Sequence, residues 1–195
     1  ASYADKFSTF SPERLFTAVD SNIVDVNFFI PGSSTRATTR GFGAVFSDAE
    51  LAATGVEDRF SVDEQASMAR YIRAAHCDAL PETMVAPMVH AQIARDAAMA
   101  VRVRHEAGGR SFVIVGNGHA RKDWGMPQFL ARLHPEEELL SIQIVEIIDS
   151  GEGLAAYPQT RSDQADVVIF VPAQARPDPC EGLRAMQREA GPPSD

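Results

Sequence analysis

Cysteine, positive charge and long apolar runs are all scarce in this chain of 195 residues. Lys and Arg total 18 against 27 Asp and Glu, which gives a formal net charge of −9. Proteins that bind duplex nucleic acid or an anionic membrane need a cationic surface, so we expect neither as a partner. No apolar run approaches the length of a membrane-spanning helix. The first residues contain no charged leader with an apolar stretch, so the sequence predicts no intact signal peptide.

The two cysteines, Cys77 and Cys180, are too few for a disulfide framework or for a thiolate metal site,. Two interpretations stay open: unpaired thiols in a reducing compartment, or one bridge that closes a long loop in an oxidising compartment. The bridge is slightly favoured, because Cys180 lies in a tail rich in proline (Pro172, Pro177, Pro179) with little else to hold it in place.

The remaining composition, 45% apolar and 23% charged, is that of a globular protein,. It changes near residue 60, since eight of the eleven Phe lie in residues 1–60. Within that part, residues 23–30 are rich in β-formers, Pro31-Gly32 begins a turn cluster, and residues 41–46 are a second strand candidate. We therefore predict a β-rich segment of uncertain origin over residues 1–60.

Helical signals dominate after residue 60. Ser61 and Glu64 have the spacing of a capping box, which predicts a helix that continues to about Ala75,. A second helix is expected from 88 to 106, with Pro87 in its first turn. A third helix is expected around residues 126–133.

Three apolar runs predict strands. Residues 112–115 are expected to be buried on both faces, and residues 139–148 and 167–171 follow as further strands,. The order of elements predicts an α/β fold with a central, mostly parallel sheet flanked by helices, plus the N-terminal β-rich segment. The main domain then covers residues 61–183, and residues 184–195 form an irregular tail.

A Gly-x-Gly-His motif follows the first of these strands, formed by Gly116, Asn117, Gly118 and His119. Ligands of open α/β sheets collect at the carboxyl ends of strands, and glycines allow a close approach of the backbone. His119 would lie at that rim, where an imidazole can bind a metal or transfer a proton. The alternative is a strand-to-helix turn with a hydrogen-bonded histidine. As a phosphate loop the motif is weak.

A mixed stripe on the second helix is the other signal. Met88, Gln92, Arg95, Asp96 and Met99 fall on one helical face,. Methionines beside an amide, a guanidinium and a carboxylate are typical of the wall of a polar pocket. The alternative, that Arg95 and Asp96 simply pair with neighbours at the helix edge, is the commoner outcome for one charged pair.

Several ordered motifs over about residues 76–183 resemble the ChaN family of haem-binding lipoproteins, which is grouped with the Tiki and TraB proteins. They are His76-Cys77 with Leu80-Pro81, Ala91-Gln92, Arg95-Asp96, Met99-Ala100, the run 116–123 with Gly125 and Pro127, and Asp178-Pro179-Cys180. The resemblance implies an α/β fold, a periplasmic or outer-membrane setting and a part in bacterial haem or iron uptake. It also supports the Cys77–Cys180 bridge.

The resemblance implies haem bound through a tyrosine, and of Tyr3, Tyr71 and Tyr157 the loop residue Tyr157 is the best candidate. Arg121 or Lys122 would meet the haem propionates, and Trp124 and Met126 are pocket walls or ordinary packing. The expected ligand-binding residues are Gln92, Arg95, Asp96, Gly116, Asn117, Gly118, His119, Arg121 and Tyr157, with His119 as the metal ligand.

Residues 1–75 lack the Gly-Glu-x-His-like motif with which the family pattern begins. The family resemblance, with His119 and the stripe of Gln92, Arg95 and Asp96 as a polar pocket, makes haem binding the leading hypothesis. The alternatives are a Tiki-like hydrolase in which His119 holds a divalent metal, and an assembly protein, possibly a homodimer, that uses residues 1–60. All functional expectations require that His119 share a solvent-reachable hollow with Gln92, Arg95 and Asp96.

Overall fold

The computed structural model describes residues 33–103, 111–147, 153–160, 163–178, 180–182 and 185. These residues form five α-helices, two β-strands and three short 3-10 helices, which makes the described part a mixed α/β structure. The helices are α1 (Ser33–Arg40), α2 (Asp48–Thr54), α3 (Val62–Ala75), α4 (Glu82–Arg102) and α5 (Met126–Leu133), and the strands are β1 (Ile142–Ile147) and β2 (Val167–Pro172). The strand candidate at residues 23–30 lies outside the described residues.

The start of α3 is fixed by the capping box that the sequence predicts. The Ser61 hydroxyl accepts a hydrogen bond from the Glu64 backbone N–H at 3.3 Å, and the Ser61 backbone N–H donates to the Glu64 carboxylate at 2.8 Å. The bonds from the Ser61 side chain and backbone hold the pKa of Glu64 below its usual value. Two N–H groups that would otherwise lack partners at the helix start are thereby satisfied.

Helix α4 is longer at its start than the sequence predicts. It begins at Glu82, so Pro87 lies inside the helix rather than in its first turn. A proline there removes one backbone hydrogen bond. Val85 and Val89, on either side of it, are both buried, and this packing explains why the helix continues through the proline.

The core is organised around α4, which packs against α1, α3 and α5. Phe129 of α5 and Met68 of α3 are the largest fully buried apolar side chains. Phe60 meets Phe129 edge-on, with ring centroids 5.8 Å apart. The described part of the chain has no helix that is both long and apolar enough to cross a membrane.

Strands β1 and β2 are parallel and pair from Ile142↔Val167 to Ile147↔Pro172, which confirms two of the predicted strands. The predicted strand at residues 112–115 is reduced to a single bridge residue, Phe112. Val113 and Val115 pack against the core, whereas Ile114 is 81% exposed. The expectation of burial on both faces is wrong, because within the described residues only one face is covered. A central sheet is not confirmed.

The strand predicted at residues 41–46 is also wrong. Residues Phe42–Ala44 form a 3-10 helix preceded by Gly41, whose φ of 77° lies in the left-handed region that glycine favours,. The Val45 and Phe46 backbone N–H groups donate to the Phe42 carbonyl, so the turn satisfies its own backbone and leaves Phe46 buried in the core. The described part of residues 1–60 is helical, and a β-rich segment is not confirmed.

A disulfide joins Cys77 to Cys180, with Cα atoms 5.6 Å apart across 103 positions of sequence. The predicted bridge is thus confirmed. Cys77 lies just after α3, where φ is 59° at Cys77 and 53° at Asp78. The Asp78 backbone N–H returns to the Arg73 carbonyl at 2.9 Å, which closes the helix end,. The bridge therefore fastens the C-terminal part of the chain to the turn between α3 and α4.

Candidate functional site

A buried carboxylate orients the histidine of the Gly-x-Gly-His motif. His119 Nδ1 lies 2.6 Å from Oδ1 of Asp96, and the Gln92 amide Nε2 donates to Oδ2 of Asp96 at 3.0 Å. The same amide nitrogen lies 2.8 Å from His119 Nδ1. The structure brings His119, Gln92 and Asp96 together, as the two sequence motifs predict.

The protonation of this group follows from its burial. Asp96 is fully buried, and desolvation raises its pKa to about 6, against the opposing effects of His119, Gln92 and Arg95,. Above that pH the ionised carboxylate is a hydrogen-bond acceptor, and it favours the tautomer of His119 in which Nδ1 carries the proton,. Nε2 then carries the free lone pair, and it has no hydrogen-bond partner among the described residues. The side chain of His119 remains 17% exposed.

The spacing of residues on α4 explains why Gln92 lies beside Asp96, the hydrogen-bond acceptor for His119. Gln92 and Asp96 are four residues apart, so they stand one above the other on one helix face,. Arg95 is half-buried and its charge lowers the pKa of Asp96. Met99 is buried in the core and Met88 packs against it. The predicted mixed stripe thus has one apolar part in the core and one polar part at His119.

The loop that carries His119 is held to β1 by polar side chains. The Asn117 amide donates to the Ile144 carbonyl at 2.7 Å, and the Gln143 amide donates to the Asn117 carbonyl at 3.1 Å. The Ser141 hydroxyl donates to the Ala120 carbonyl at 2.5 Å. Within the loop, the His119 backbone N–H donates to the Gly116 carbonyl at 2.8 Å. These bonds fix the backbone on both sides of the imidazole.

Gly125 allows the loop to fold back on itself. A Cβ at this position would lie 2.4 Å from the His119 carbonyl oxygen and 2.7 Å from that of Arg121, closer than real Cβ atoms approach. The Gly125 backbone N–H donates to the Arg121 carbonyl at 2.8 Å, and the Met126 backbone N–H donates to the His119 carbonyl at 2.9 Å. Glycine at 125 is therefore required by the close approach of the two ends of the loop.

The two cations expected to meet haem propionates already have partners inside the chain. Arg121 is buried, donates to both carboxylate oxygens of Asp123, and stacks on the Trp124 ring at 3.5 Å. The Lys122 ammonium donates to Asp166 at 2.5 Å. Their role toward propionates stays a prediction. Trp124 is packed into the core, and so is Met126, which favours packing over a pocket wall.

Tyr157 lies between the 3-10 helices Leu154–Ala156 and Pro158–Thr160. Its ring meets Phe170 of β2 edge-on at 5.5 Å. Its proposed part in ligand binding stays a prediction. A metal held by His119 is also untested: the described residues contain no group of three His, Cys, Asp or Glu side chains that could hold an ion.

Two residues that support the loop were not predicted from the sequence. Tyr71 of α3 is one, because its ring lies against Gly118. Gln143 is another, since its amide donates to the Asn117 carbonyl from a side chain that is almost completely buried. Gln143 carried a usable signal: it is a polar residue at an inward-facing position between Ile142 and Ile144 of a strand.

The chain matches the model of a family described as haem-binding uptake, Tiki superfamily, ChaN, over residues 15–130. Comparisons with curated proteins and with solved structures found no significant match. The sequence motifs placed the resemblance at about residues 76–183. The family match instead begins at residue 15, includes the whole Gln92–Asp96–His119 group and ends at residue 130. Because it covers more than half of the chain, the protein belongs to the ChaN family of the Tiki superfamily.

Proposed function

We propose that this protein binds haem, with the Nε2 atom of His119 as the protein's donor to the iron. The observation that carries the proposal is the 2.6 Å contact between His119 Nδ1 and the buried Asp96 carboxylate. Histidines that bind metals commonly donate their second N–H to a carboxylate or carbonyl, which fixes the tautomer and strengthens the donor. His119 has this arrangement.

The chemistry of the donor set fits haem. Haem brings four porphyrin nitrogens to its iron and takes one or two ligands from a protein, so one oriented imidazole suffices. A bare zinc ion takes three or four protein ligands. Among the described residues this group offers one imidazole, that of His119 backed by Asp96 and Gln92, and such a set fits haem better than the zinc site of a hydrolase.

Each residue then has a separate task. Asp96 holds the proton on Nδ1, and Gln92 supports the carboxylate through its second oxygen. Asn117, Gln143 and Ser141 hold the loop backbone against β1. Haem supplies the redox-active iron, and the chain supplies an imidazole whose orientation is set before the ligand arrives.

The proposed setting is haem or iron uptake outside the cytosol of a bacterium, in the periplasm or at the outer membrane. The disulfide between Cys77 and Cys180 supports this, because such bridges persist in oxidising compartments,. The uptake role itself is supported by the description of the family.

Titration of the ligand-free protein with haemin tests the proposal. We expect a shifted Soret band that saturates at a fixed stoichiometry. His119→Ala should lower the affinity by about 100-fold, because it removes the iron ligand itself, whereas loss of a supporting residue costs about 10–100-fold.

His90→Ala is the matched control, since His90 is an exposed histidine on α4 and should leave the affinity unchanged. Absence of a Soret shift with the wild-type protein would contradict haem binding. Retention of zinc together with hydrolytic activity, both lost in His119→Ala, would instead favour the hydrolase.

A further inference from the structure

Tyr71 of α3 lies against the backbone of the His119 loop. A Cβ built on Gly118 would lie 3.1 Å from both Oη and Cε1 of Tyr71. These distances are tighter than ordinary van der Waals contact, so a side chain at residue 118 would displace the ring by a few tenths of an ångström. The ring edge thus sets how near the loop comes to α3, one residue before His119.

The ring of Tyr71 is itself fixed by its neighbours. The centroid of the Tyr71 ring lies 5.7 Å from the centroid of the Trp124 ring. The guanidinium carbon of Arg121 lies 5.3 Å from the Tyr71 centroid. Arg121 is held in turn by Asp123 and by the face of Trp124. Burial raises the pKa of Tyr71, so the phenol stays neutral near pH 7,. A rigid, uncharged ring therefore lies against Gly118.

We propose that Tyr71 is a positioning residue for His119. By contact with Gly118 it fixes the loop so that Nδ1 reaches Asp96 and Nε2 is left for the ligand. A loop shift of about 1 Å would lengthen the 2.6 Å contact between Nδ1 and Oδ1 beyond hydrogen-bond range,. The proposal rests on the proposed function only for the identity of the ligand.

Long-range 1H–15N NMR of the ligand-free protein tests this role directly. The spectrum distinguishes Nδ1–H from Nε2–H. We expect wild type and Tyr71→Phe, which keeps the ring, to show His119 as Nδ1–H. Tyr71→Ala should shift His119 toward the Nε2–H form and lower haem affinity by about 10–100-fold.

Ile72→Ala is the matched control, because Ile72 is the next residue of α3, is buried in the core, and is not among the nearest neighbours of a Cβ at Gly118. It should destabilise the protein and keep the Nδ1–H form. If Tyr71→Ala does not fold, Tyr71→Leu keeps much of the apolar volume, lacks the planar ring and provides the same comparison.

Retention of Nδ1–H in the folded Tyr71→Ala or Tyr71→Leu variant would overturn the proposal, as would its loss in Ile72→Ala. If wild type binds no haem but its tautomer still depends on the Tyr71 ring, the proposed function fails and the positioning role stands.

Discussion

Asp96→Asn should abolish a pH-dependent loss of stability that wild type shows between about pH 4 and pH 6. Burial raises the pKa of Asp96 from 3.8 to about 6. The folded state therefore holds this proton more tightly than the unfolded state, and the contribution is full below the unfolded pKa and lost as pH rises through the folded pKa. The shift corresponds to roughly 3 kcal/mol in the free energy of unfolding.

The test is urea unfolding of both proteins at steps from pH 4 to pH 7. Glu50 and Glu64 have lowered pKa values. Their contributions to the free energy of unfolding therefore change in the opposite direction and are lost as the pH falls. Both glutamates are present in both proteins, so the difference between the two unfolding free energies reports Asp96 together with its hydrogen-bonded partner His119. We expect wild type to lose roughly 3 kcal/mol relative to Asp96→Asn across this range.

Asp63→Asn provides the control, because Asp63 is exposed in the first turn of α3. Its difference from wild type should change by less than about 0.5 kcal/mol over the same range, as for most surface substitutions. A flat difference for Asp96→Asn would contradict the account of Asp96 as a buried group that ionises near pH 6.

This result would also explain why a carboxylate stands at position 96. Burial of an amide at this position would cost less free energy, since an amide carries no charge. The ionised group stabilises the Nδ1–H form of His119 and leaves Nε2 as a donor. The ionised carboxylate lowers the stability of the folded protein at neutral pH but orients the imidazole. Functional sites commonly lower stability in this way.

Loss of the Cys77–Cys180 disulfide should produce the other large effect. The bridge spans 103 positions. In the chain-entropy model a disulfide that closes a loop of about 100 residues stabilises the folded protein by up to about 4.7 kcal/mol, and the measured gain is usually smaller. We expect the Cys77→Ser, Cys180→Ser double variant to lose about 2–5 kcal/mol in the free energy of unfolding.

Reduced wild type is the internal control, because it lacks the same covalent bond and differs from the double variant only in having sulfur instead of oxygen at each of the two positions. Its unfolding midpoint in denaturant should match that of the double variant, and reductant should not change the variant itself. Equal midpoints for oxidised and reduced wild type would show that the bridge does not stabilise the fold.

Local signals were sufficient for part of the fold. The Ser61–Glu64 capping box and the apolar runs of β1 and β2 carry their structure within a few residues, and all were confirmed. The prediction of a doubly buried strand at residues 112–115 was wrong, because burial on a second face depends on a covering layer that the sequence of this segment does not encode. The prediction of a strand at residues 41–46 was wrong, because a local turn that begins at Gly41 provides hydrogen bonds for the backbone of this apolar run.

The candidate site divides in the same way. Gln92 and Asp96 were predictable because helical periodicity places them together, and His119 was marked by its glycines. The contact of Tyr71 with Gly118 and the Lys122–Asp166 ion pair join residues more than 40 positions apart. Such contacts follow from packing of separate elements, which no local pattern specifies.

The most direct test of the central claim is magnetic resonance of the ferric haem complex prepared with 15N-labelled histidine. If His119 Nε2 binds the iron, the nitrogen hyperfine couplings of the iron-bound imidazole should change with the isotope. They should disappear in His119→Ala and persist in His90→Ala. A ferric spectrum without imidazole couplings, or couplings that survive in His119→Ala, would contradict the account.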